Sequence, residues 1–359
     1  TGVIARPTAL DRAGFFLRSN WTFCIPVLVF ALMFWLWNTR GRDPRLQPIM
    51  PLYEPPAKLT PAEVGTLVDN SADMRDITAT IVDLAVRGYL RIDETDQSQL
   101  LGLWSSKNYS FKLLKKEAEW SDLKPHERQL LRRFFDDGNR EVVSLSELEN
   151  SFYKELPNIR DRIFDQLIEH RYYDRRPDNV RKLYLIVAAV AGLAFMGLGG
   201  SIAATLGLPV ATVIVPAVLS AAIIAAFGWV MPARTMQGTR ALEGVLGFEE
   251  FLGRVEADRF ARVIKTPEMF EKFLPFAMAL GVEKKWASAF NDIYRQPPTW
   301  YGGNFQTFQT NSFVNDLNRM SVRTASVMTS APRSSGGSGF SGGGGFSGGG
   351  FGGGGGGGF

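Results

Sequence analysis

Side chains that could perform catalysis are few in this sequence. Cys24 is its only cysteine and lies in an apolar run, so the chain can form neither an intrachain disulfide nor a thiolate metal site. His126 and His170 are the only histidines, which removes most metal sites and histidine-base mechanisms. The sequence shows no Ser-His-Asp set, metal-ligand cluster or phosphate-binding loop. We therefore expect a protein that is not an enzyme, with no catalytic residue, cofactor or metal.

Arg128, Arg132 and Arg133 form the candidate binding site of the sequence. A basic cluster of this kind is most often a solvated helix face. The functional alternative is contact with anionic lipid headgroups, because basic clusters near a membrane attract them. Membrane lipids are therefore one expected partner of these three arginines.

Two long stretches without charge surround these residues in the chain. Residues 19–39 make a helix about 31 Å long, which matches the hydrocarbon thickness, with Trp21, Trp35 and Trp37 at its ends. Residues 183–233 are too many for one span and divide near Gly199 and again at residues 207–209. They predict a hairpin of two transmembrane helices, residues 183–206 and 208–230, whose small residues suit close packing.

Basic residues around the hairpin predict its orientation. Arginines and lysines precede residue 183 and follow residue 233, whereas the connecting loop has none, so both flanks should be cytoplasmic. We therefore expect a multi-pass protein with its N-terminus outside and its C-terminus in the cytoplasm. Residues 1–18 would be the end of an extracytoplasmic domain that precedes this chain.

Residues 54–182 predict a cytoplasmic domain between the first two spans. Thr60 and Glu63 form a capping box that begins one helix, and a second helix starts near Arg75 and ends at Gly88. Two strands follow, at residues 89–92 and 108–114. Two helices followed by a strand pair are the outline of a winged helix, so the fold class is a mainly α membrane protein with an α+β winged-helix-like domain.

The charge of this domain disfavours nucleic acid as a partner. Residues 54–182 contain 21 basic and 24 acidic residues, whereas DNA-binding proteins need a basic face that displaces counterions from phosphates. An unidentified protein partner is the favoured expectation.

The chain after the third span predicts three regions. Residues 239–295 form an amphipathic helical region, interpreted as a small packing unit or as helices lying on the membrane or on the preceding domain. Residues 296–335 are predicted to be a linker. Residues 336–359 contain 17 glycines, four phenylalanines and three serines, so they predict a disordered tail.

Several segments resemble a known family. They are residues 41–44 (Gly-Arg-Asp-Pro), residues 55–63, residues 75–90, and residues 273–282 with Trp286. Their sequences and spacing resemble the YciQ-like bacterial family of predicted membrane proteins, domain-of-unknown-function family 2207. The resemblance implies a bacterial inner-membrane protein with an extracytoplasmic β-rich domain before this chain, and it implies no reaction.

The favoured function is a membrane-anchored scaffold or signalling adaptor that uses its cytoplasmic domain for protein contacts. The alternatives are a membrane-bound transcription regulator and a subunit of an oligomeric transporter. The spans contain no ionisable residue of the kind that marks a transport pathway, although three spans could still build a pore as a homo-oligomer.

Overall fold

The computed structural model describes residues 8, 21–99, 104–206, 209–254, 266–291, 293–303 and 308–332. The predicted end of an extracytoplasmic domain at residues 1–18, apart from Thr8, and the predicted glycine-rich tail at residues 336–359 lie outside the described residues.

Eleven α-helices and four strands occur in the described part of the chain. The helices are α1 (Cys24–Leu36), α2 (Pro61–Asp69), α3 (Met74–Val86), α4 (Pro125–Phe134), α5 (Leu156–Glu169), α6 (Pro177–Leu206), α7 (Ala211–Val230), α8 (Met236–Arg254), α9 (Pro267–Leu280), α10 (Glu283–Ser288) and α11 (Thr310–Thr329). The strands are β1 (Leu90–Gln99), β2 (Trp104–Leu113), β3 (Val142–Ser144) and β4 (Tyr301–Gly302).

Among the described residues, three helices are long and apolar enough to cross a membrane, as the sequence predicted. They cover Trp21–Arg40, Pro177–Thr205 and Ala211–Val230. The predicted break near Gly199 was wrong, because α6 continues through it to Leu206. A glycine costs a helix only about 1 kcal/mol, whereas an opened backbone in lipid would lose hydrogen bonds worth more than that.

Small residues let these helices approach closely, as expected from their composition. A Cβ on Gly199 would lie 2.9 Å from Val213 Cγ1, and one on Gly228 would lie 2.5 Å from Tyr184 Cβ. α1 runs parallel to α7, because the Thr22 hydroxyl donates to the Thr212 carbonyl at one end and Gly41 packs on Met231 at the other.

The capping box predicted at Thr60 and Glu63 is present at the start of α2, and a second one, which was not predicted, is present at the start of α3. Thr60 N–H donates to Glu63 Oε2 over 2.7 Å at the start of α2, and Asp73 N–H donates to Asp76 Oδ2 over 3.0 Å at the start of α3. β1 and β2 form the predicted antiparallel pair, with Leu90 opposite Leu113, but both strands are longer than predicted. The sheet order is β3-β2-β1-β4, with β4 parallel to β1.

One hydrophobic core joins the two halves of the sequence. It contains Ile81 and Phe111 from the chain before the hairpin and Phe248, Phe273 and Leu317 from the chain after it. Residues 54–182 are therefore not a separate packing unit, and residues 239–295 lie on them rather than forming a unit of their own. The apolar stripes on α8, α9 and α11 are buried only when these helices cover α2 and α3.

The predicted linker at residues 296–335 was wrong for most of its length. It contains β4, which extends the sheet, and the 20-residue helix α11, which packs on α3 and α10. Phe313, Leu317 and Met320 follow helical spacing and are buried. Polar residues separate these apolar positions, which makes the helical periodicity of this segment weak in the sequence.

The winged-helix interpretation assigns α3 the place of a recognition helix. Two helices and a hairpin do follow one another in the predicted order. However, residues 76–85 of α3 are all buried, because α2, α9 and α11 pack around this helix. α3 therefore has no free face along these residues that could enter a groove of DNA.

Candidate functional site at the membrane junction

The three spans meet the folded domain at one place, which we call the membrane junction. It consists of residues 41–44 after the first span, residues 171–177 before the second, and residues 231–236 after the third. The C-terminal ends of α1 and α7 and the N-terminal end of α6 all lie there, because α1 and α7 run parallel and α6 runs antiparallel to them.

Arg234 is the central residue of the membrane junction. Its backbone N–H donates to Asp43 Oδ1 over 2.6 Å, and its Nη1 donates to Asp43 Oδ2 over 2.5 Å. Its Nε and Nη2 donate to the Leu67 carbonyl over 3.0 and 2.7 Å, and Nη2 also donates to the Val68 carbonyl over 2.8 Å. Only 8% of Arg234 is exposed.

The position of these carbonyls explains why arginine suits this place. Leu67 and Val68 lie in the last turn of α2, where carbonyls have no partner within the helix and the helix dipole is negative. The guanidinium satisfies both carbonyls and keeps its charge paired with Asp43. Arg234 therefore joins the end of the third span, the segment after the first span and a helix of the folded domain.

The chain before the second span is held by the same segment. Thr235 N–H donates to the Tyr172 carbonyl over 3.0 Å, and the Thr235 hydroxyl donates to the Arg171 carbonyl over 2.6 Å. Tyr173 and Arg234 form an antiparallel bridge, and the Tyr173 hydroxyl donates to Asn70 Oδ1 over 2.6 Å. Burial raises the pKa of Tyr173 well above its usual value, so this hydroxyl stays protonated and remains a donor.

Glycines allow backbones to touch at the membrane junction. A Cβ on Gly238 would lie 2.2 Å from the Tyr172 carbonyl oxygen, and one on Gly41 would lie 2.6 Å from Met231 Sδ. Farther along, the extended segment after the first span lies on α8, where Leu52 N–H donates to the Gly247 carbonyl over 3.1 Å.

A pocket of about 750 Å³, which we call the junction pocket, opens beside Arg234. Four arginines and one aspartate line it together with apolar side chains. The charged residues are Arg40, Arg42, Arg175, Arg234 and Asp174, and the apolar ones include Val180, Leu183, Met231 and Met236.

Among Arg40, Arg42 and Arg175, only Arg175 contributes to the predicted orientation, because the first span has three arginines on either side of it. Arg40, Arg42 and Arg175 line the pocket together. They are exposed, and none of them lies within 4.0 Å of a carboxylate oxygen of the described residues. The positive flanks of the spans were the available signal for this cluster. Sequence could not show that Arg42 and Arg175, which are 133 positions apart, line one pocket.

The predicted site on α4 has a different environment. Arg128 Nη2 donates to the Ser121 carbonyl over 2.9 Å, Arg132 pairs with Glu117, and Arg133 Nε lies 3.1 Å from Glu155 Oε2. Arg132 and Arg133 thus have their charges matched by carboxylates, and none of the three arginines lines the junction pocket. Contact of this cluster with lipid headgroups stays a prediction.

His126 belongs to a buried polar cluster inside the folded domain. Its Nε2 lies 3.2 Å from Thr60 Oγ1, and Glu63 Oε2 accepts a hydrogen bond from Lys124 Nζ over 2.6 Å. Burial lowers the pKa of His126 to about 4, so the imidazole is neutral at pH 7. These contacts connect the start of α2 to the start of α4, so His126 has a structural role.

A groove runs along α11 on the surface of the folded domain. On one side of this helix lies a pocket of about 330 Å³ between α3, α9 and α11, and on the other an open depression of about 860 Å³. Asn318 and Val322 line both, and Val322 is 72% exposed. We call this surface the α11 groove.

Comparison with known proteins gives one match. The family model described as the C-terminal domain of a predicted membrane protein (DUF2207) matches residues 50–290. No curated protein and no solved structure matches the chain.

Proposed function

The chain belongs to the DUF2207 family of predicted membrane proteins, and on this basis we propose that it is a membrane-anchored signalling adaptor. Its spans receive a signal, and its folded domain passes that signal to a protein partner. The observation that supports this proposal is the buried contact of Arg234 with Asp43 after the first span and with the end of α2 in the folded domain.

Arg234 couples the relative position of the first and third spans to helix α2 of the folded domain. If α1 moves relative to α7, Asp43 must move with Arg234 or lose its ion pair. Arg234 is buried and the Asp43 side chain is 36% exposed, so loss of this charged hydrogen bond costs about 1.5 to 3 kcal/mol and the pair resists separation. Because the same guanidinium holds the Leu67 and Val68 carbonyls, displacement of Arg234 also acts on α2.

A continuous set of packed helices leads from α2 to the α11 groove. α2 packs on α3, and α3 packs on α11, whose Val322 lies at the edge of the groove. We propose that the partner binds in this groove. An exposed valine between two depressions suits an apolar side chain of a protein ligand.

We also propose that the folded domain lies in the cytoplasm of a bacterial inner membrane. Arg175 precedes the hairpin and Arg234 follows it at the ends that face this domain, whereas residues 207–209 between its two spans carry no charge. The positive-inside rule assigns such ends to the cytoplasm. A reporter that is active only in the periplasm, fused after Phe359, should be inactive, and an active fusion would reverse the orientation.

Photocrosslinking in cells tests the adaptor function. A photoreactive amino acid at Val322 of the full chain should give a discrete adduct with another protein. The matched control is Val142, which is 52% exposed and does not line the groove. Equal adducts from both positions, or none from Val322, would reject the groove as the partner site.

The coupling step is tested in the same cells. Asp43→Asn removes the ion pair with Arg234 and should change the yield of the Val322 adduct. Arg132→Gln removes a solvent-exposed arginine of the folded domain that pairs with Glu117, and it should leave the yield unchanged. An unchanged yield in the Asp43→Asn protein would show that the junction does not act on the groove.

A further inference from the structure

We propose that the junction pocket binds the headgroup of an anionic phospholipid. This inference does not depend on the signalling function or on the α11 groove. It assigns a ligand to the pocket formed by Arg40, Arg42, Arg175 and the neighbouring apolar side chains.

The depth of the junction pocket in the membrane matches the position of lipid headgroups. Arg40 is the last residue of the first span, Leu183 begins the charge-free part of α6, and Met231 follows α7 directly. All three residues line the pocket. Lipid phosphates lie just outside the hydrocarbon region that the spans cross, so they lie at the level of this pocket.

The charges of the pocket favour an anion as its ligand. Asp174 is the single carboxylate among its lining residues, whereas Arg40, Arg42 and Arg175 have no carboxylate oxygen within 4.0 Å among the described residues. Arg234 already pairs with Asp43. Three guanidinium groups without a carboxylate partner suit a phosphodiester, because arginine binds phosphate oxygens with paired hydrogen bonds.

The apolar residues of the pocket favour a lipid over a free phosphate. Leu183 and Met236 are exposed and lie on the same surface as the arginines. The glycerol and the first acyl methylenes of a phospholipid would cover them, whereas inorganic phosphate would leave them in contact with water. A volume of about 750 Å³ also accommodates a headgroup with its glycerol.

The arginines of the junction pocket differ from those of the basic cluster on α4 in their carboxylate partners. Arg132 and Arg133 are paired with carboxylates, and their removal would alter surface ion pairs of little energy. The α4 cluster has three arginines, the same number as the arginines of the junction pocket that have no carboxylate partner among the described residues. The α4 cluster is therefore a control that removes the same charge from another place.

The experiment is native mass spectrometry of the purified full chain in detergent. Phosphatidylglycerol and phosphatidylcholine with the same acyl chains are titrated separately, and inorganic phosphate is the competitor. We expect a variant with Arg40→Gln, Arg42→Gln and Arg175→Gln to bind phosphatidylglycerol on the order of a hundredfold more weakly, because each arginine near a membrane contributes about fivefold.

The control variant carries Arg128→Gln, Arg132→Gln and Arg133→Gln, and it should keep the phosphatidylglycerol affinity of the unaltered protein. Phosphatidylcholine should bind weakly to all proteins, and inorganic phosphate should not displace phosphatidylglycerol. If the junction variant does not fold, Arg42→Gln and Arg175→Gln alone should each lower the affinity about fivefold.

Three results would overturn the proposal. They are an unchanged affinity in the junction variants, an equal loss in the α4 control, and a preference for inorganic phosphate over the lipid. The second result would assign the lipid contact to overall charge, and the third would make the pocket a site for free phosphate.

Discussion

Arg234 shows how much one side chain can decide in this protein. Its guanidinium satisfies two carbonyls at the end of α2 and the carboxylate of Asp43. Lysine could not replace these contacts, because an ammonium group lacks the planar fork that reaches three oxygens at fixed positions.

We expect Arg234→Ala to lower the free energy of unfolding of the full chain by about 3 kcal/mol, since it leaves two carbonyls at the end of α2 without their donor. Asp43 contributes less to this loss, because its side chain is 36% exposed. Arg234→Lys should recover less than half of this loss. Thermal unfolding in detergent measures both. Arg240→Ala, an exposed arginine on α8, should change stability by less than about 1 kcal/mol.

His126 predicts a pH dependence of stability. Its pKa is about 4 in the folded protein, because burial disfavours the charged form, whereas its ordinary value of 6.5 applies to the unfolded chain. The unfolded chain therefore binds the additional proton between pH 6.5 and pH 4. Stability contributed by neutral His126 is complete above pH 6.5 and falls as the pH is lowered through this window, by about 3 kcal/mol.

A His126→Gln protein should lack this part of the pH dependence. Burial raises the pKa of Asp83 to about 6, which gives the opposite trend, because stability is then lost as the pH rises from 3.8 to 6. The measurement is therefore the difference between the two proteins in unfolding experiments from pH 4 to pH 7. A difference that does not vary with pH would mean that His126 has the same pKa in the folded and the unfolded protein.

Among the elements, the helices are positioned by close backbone contacts. α8 begins at the membrane junction, and Gly238 in its first turn lies against the Tyr172 carbonyl. The first turn of α8 thereby fixes the distance between the chain before the second span and the chain after the third.

Gly238→Ala should lower the free energy of unfolding by at least about 2 kcal/mol, because its Cβ would lie 2.2 Å from a backbone oxygen that cannot move independently. Gly197→Ala on α6 is the matched control, since nothing lies within 4 Å of its Cβ. Alanine should stabilise that helix by up to about 1 kcal/mol. Equal effects of the two substitutions in a thermal unfolding assay would contradict this account.

At the level of the whole molecule, the hairpin of α6 and α7 is an insertion between two halves of one folded domain. Ile81 and Phe111 from the first half share a core with Phe248 and Leu317 from the second. The chain enters and leaves the hairpin at neighbouring positions, since Thr235 N–H donates to the Tyr172 carbonyl over 3.0 Å.

This arrangement predicts which soluble fragments fold. Residues 54–182 alone should not unfold cooperatively, because α8, α9 and α11 no longer cover α2 and α3. Residues 43–174 joined by a short glycine-serine linker to residues 233–332 should give a soluble, cooperatively folded domain. Circular dichroism during heating measures both. Cooperative unfolding of the shorter fragment would show that the first half has a sufficient core of its own.

Sequence alone was sufficient for the features that depend on neighbouring residues. The three spans follow from long apolar runs, and the start of α2 follows from a capping box of four residues. The basic flanks of the spans were visible too. Each of these signals acts over one helix or less, so it is complete within one segment of sequence.

The membrane junction and the single core could be found only from the tertiary structure. Asp43 and Arg234 are 191 residues apart, and no sequence motif around either residue predicts that they form a pair. Burial of α11 likewise depends on an apolar surface that α3 and α10 offer only after they have folded. Pairing and burial depend on which residues are close in space. The local sequence around an apolar or charged residue does not identify those neighbours.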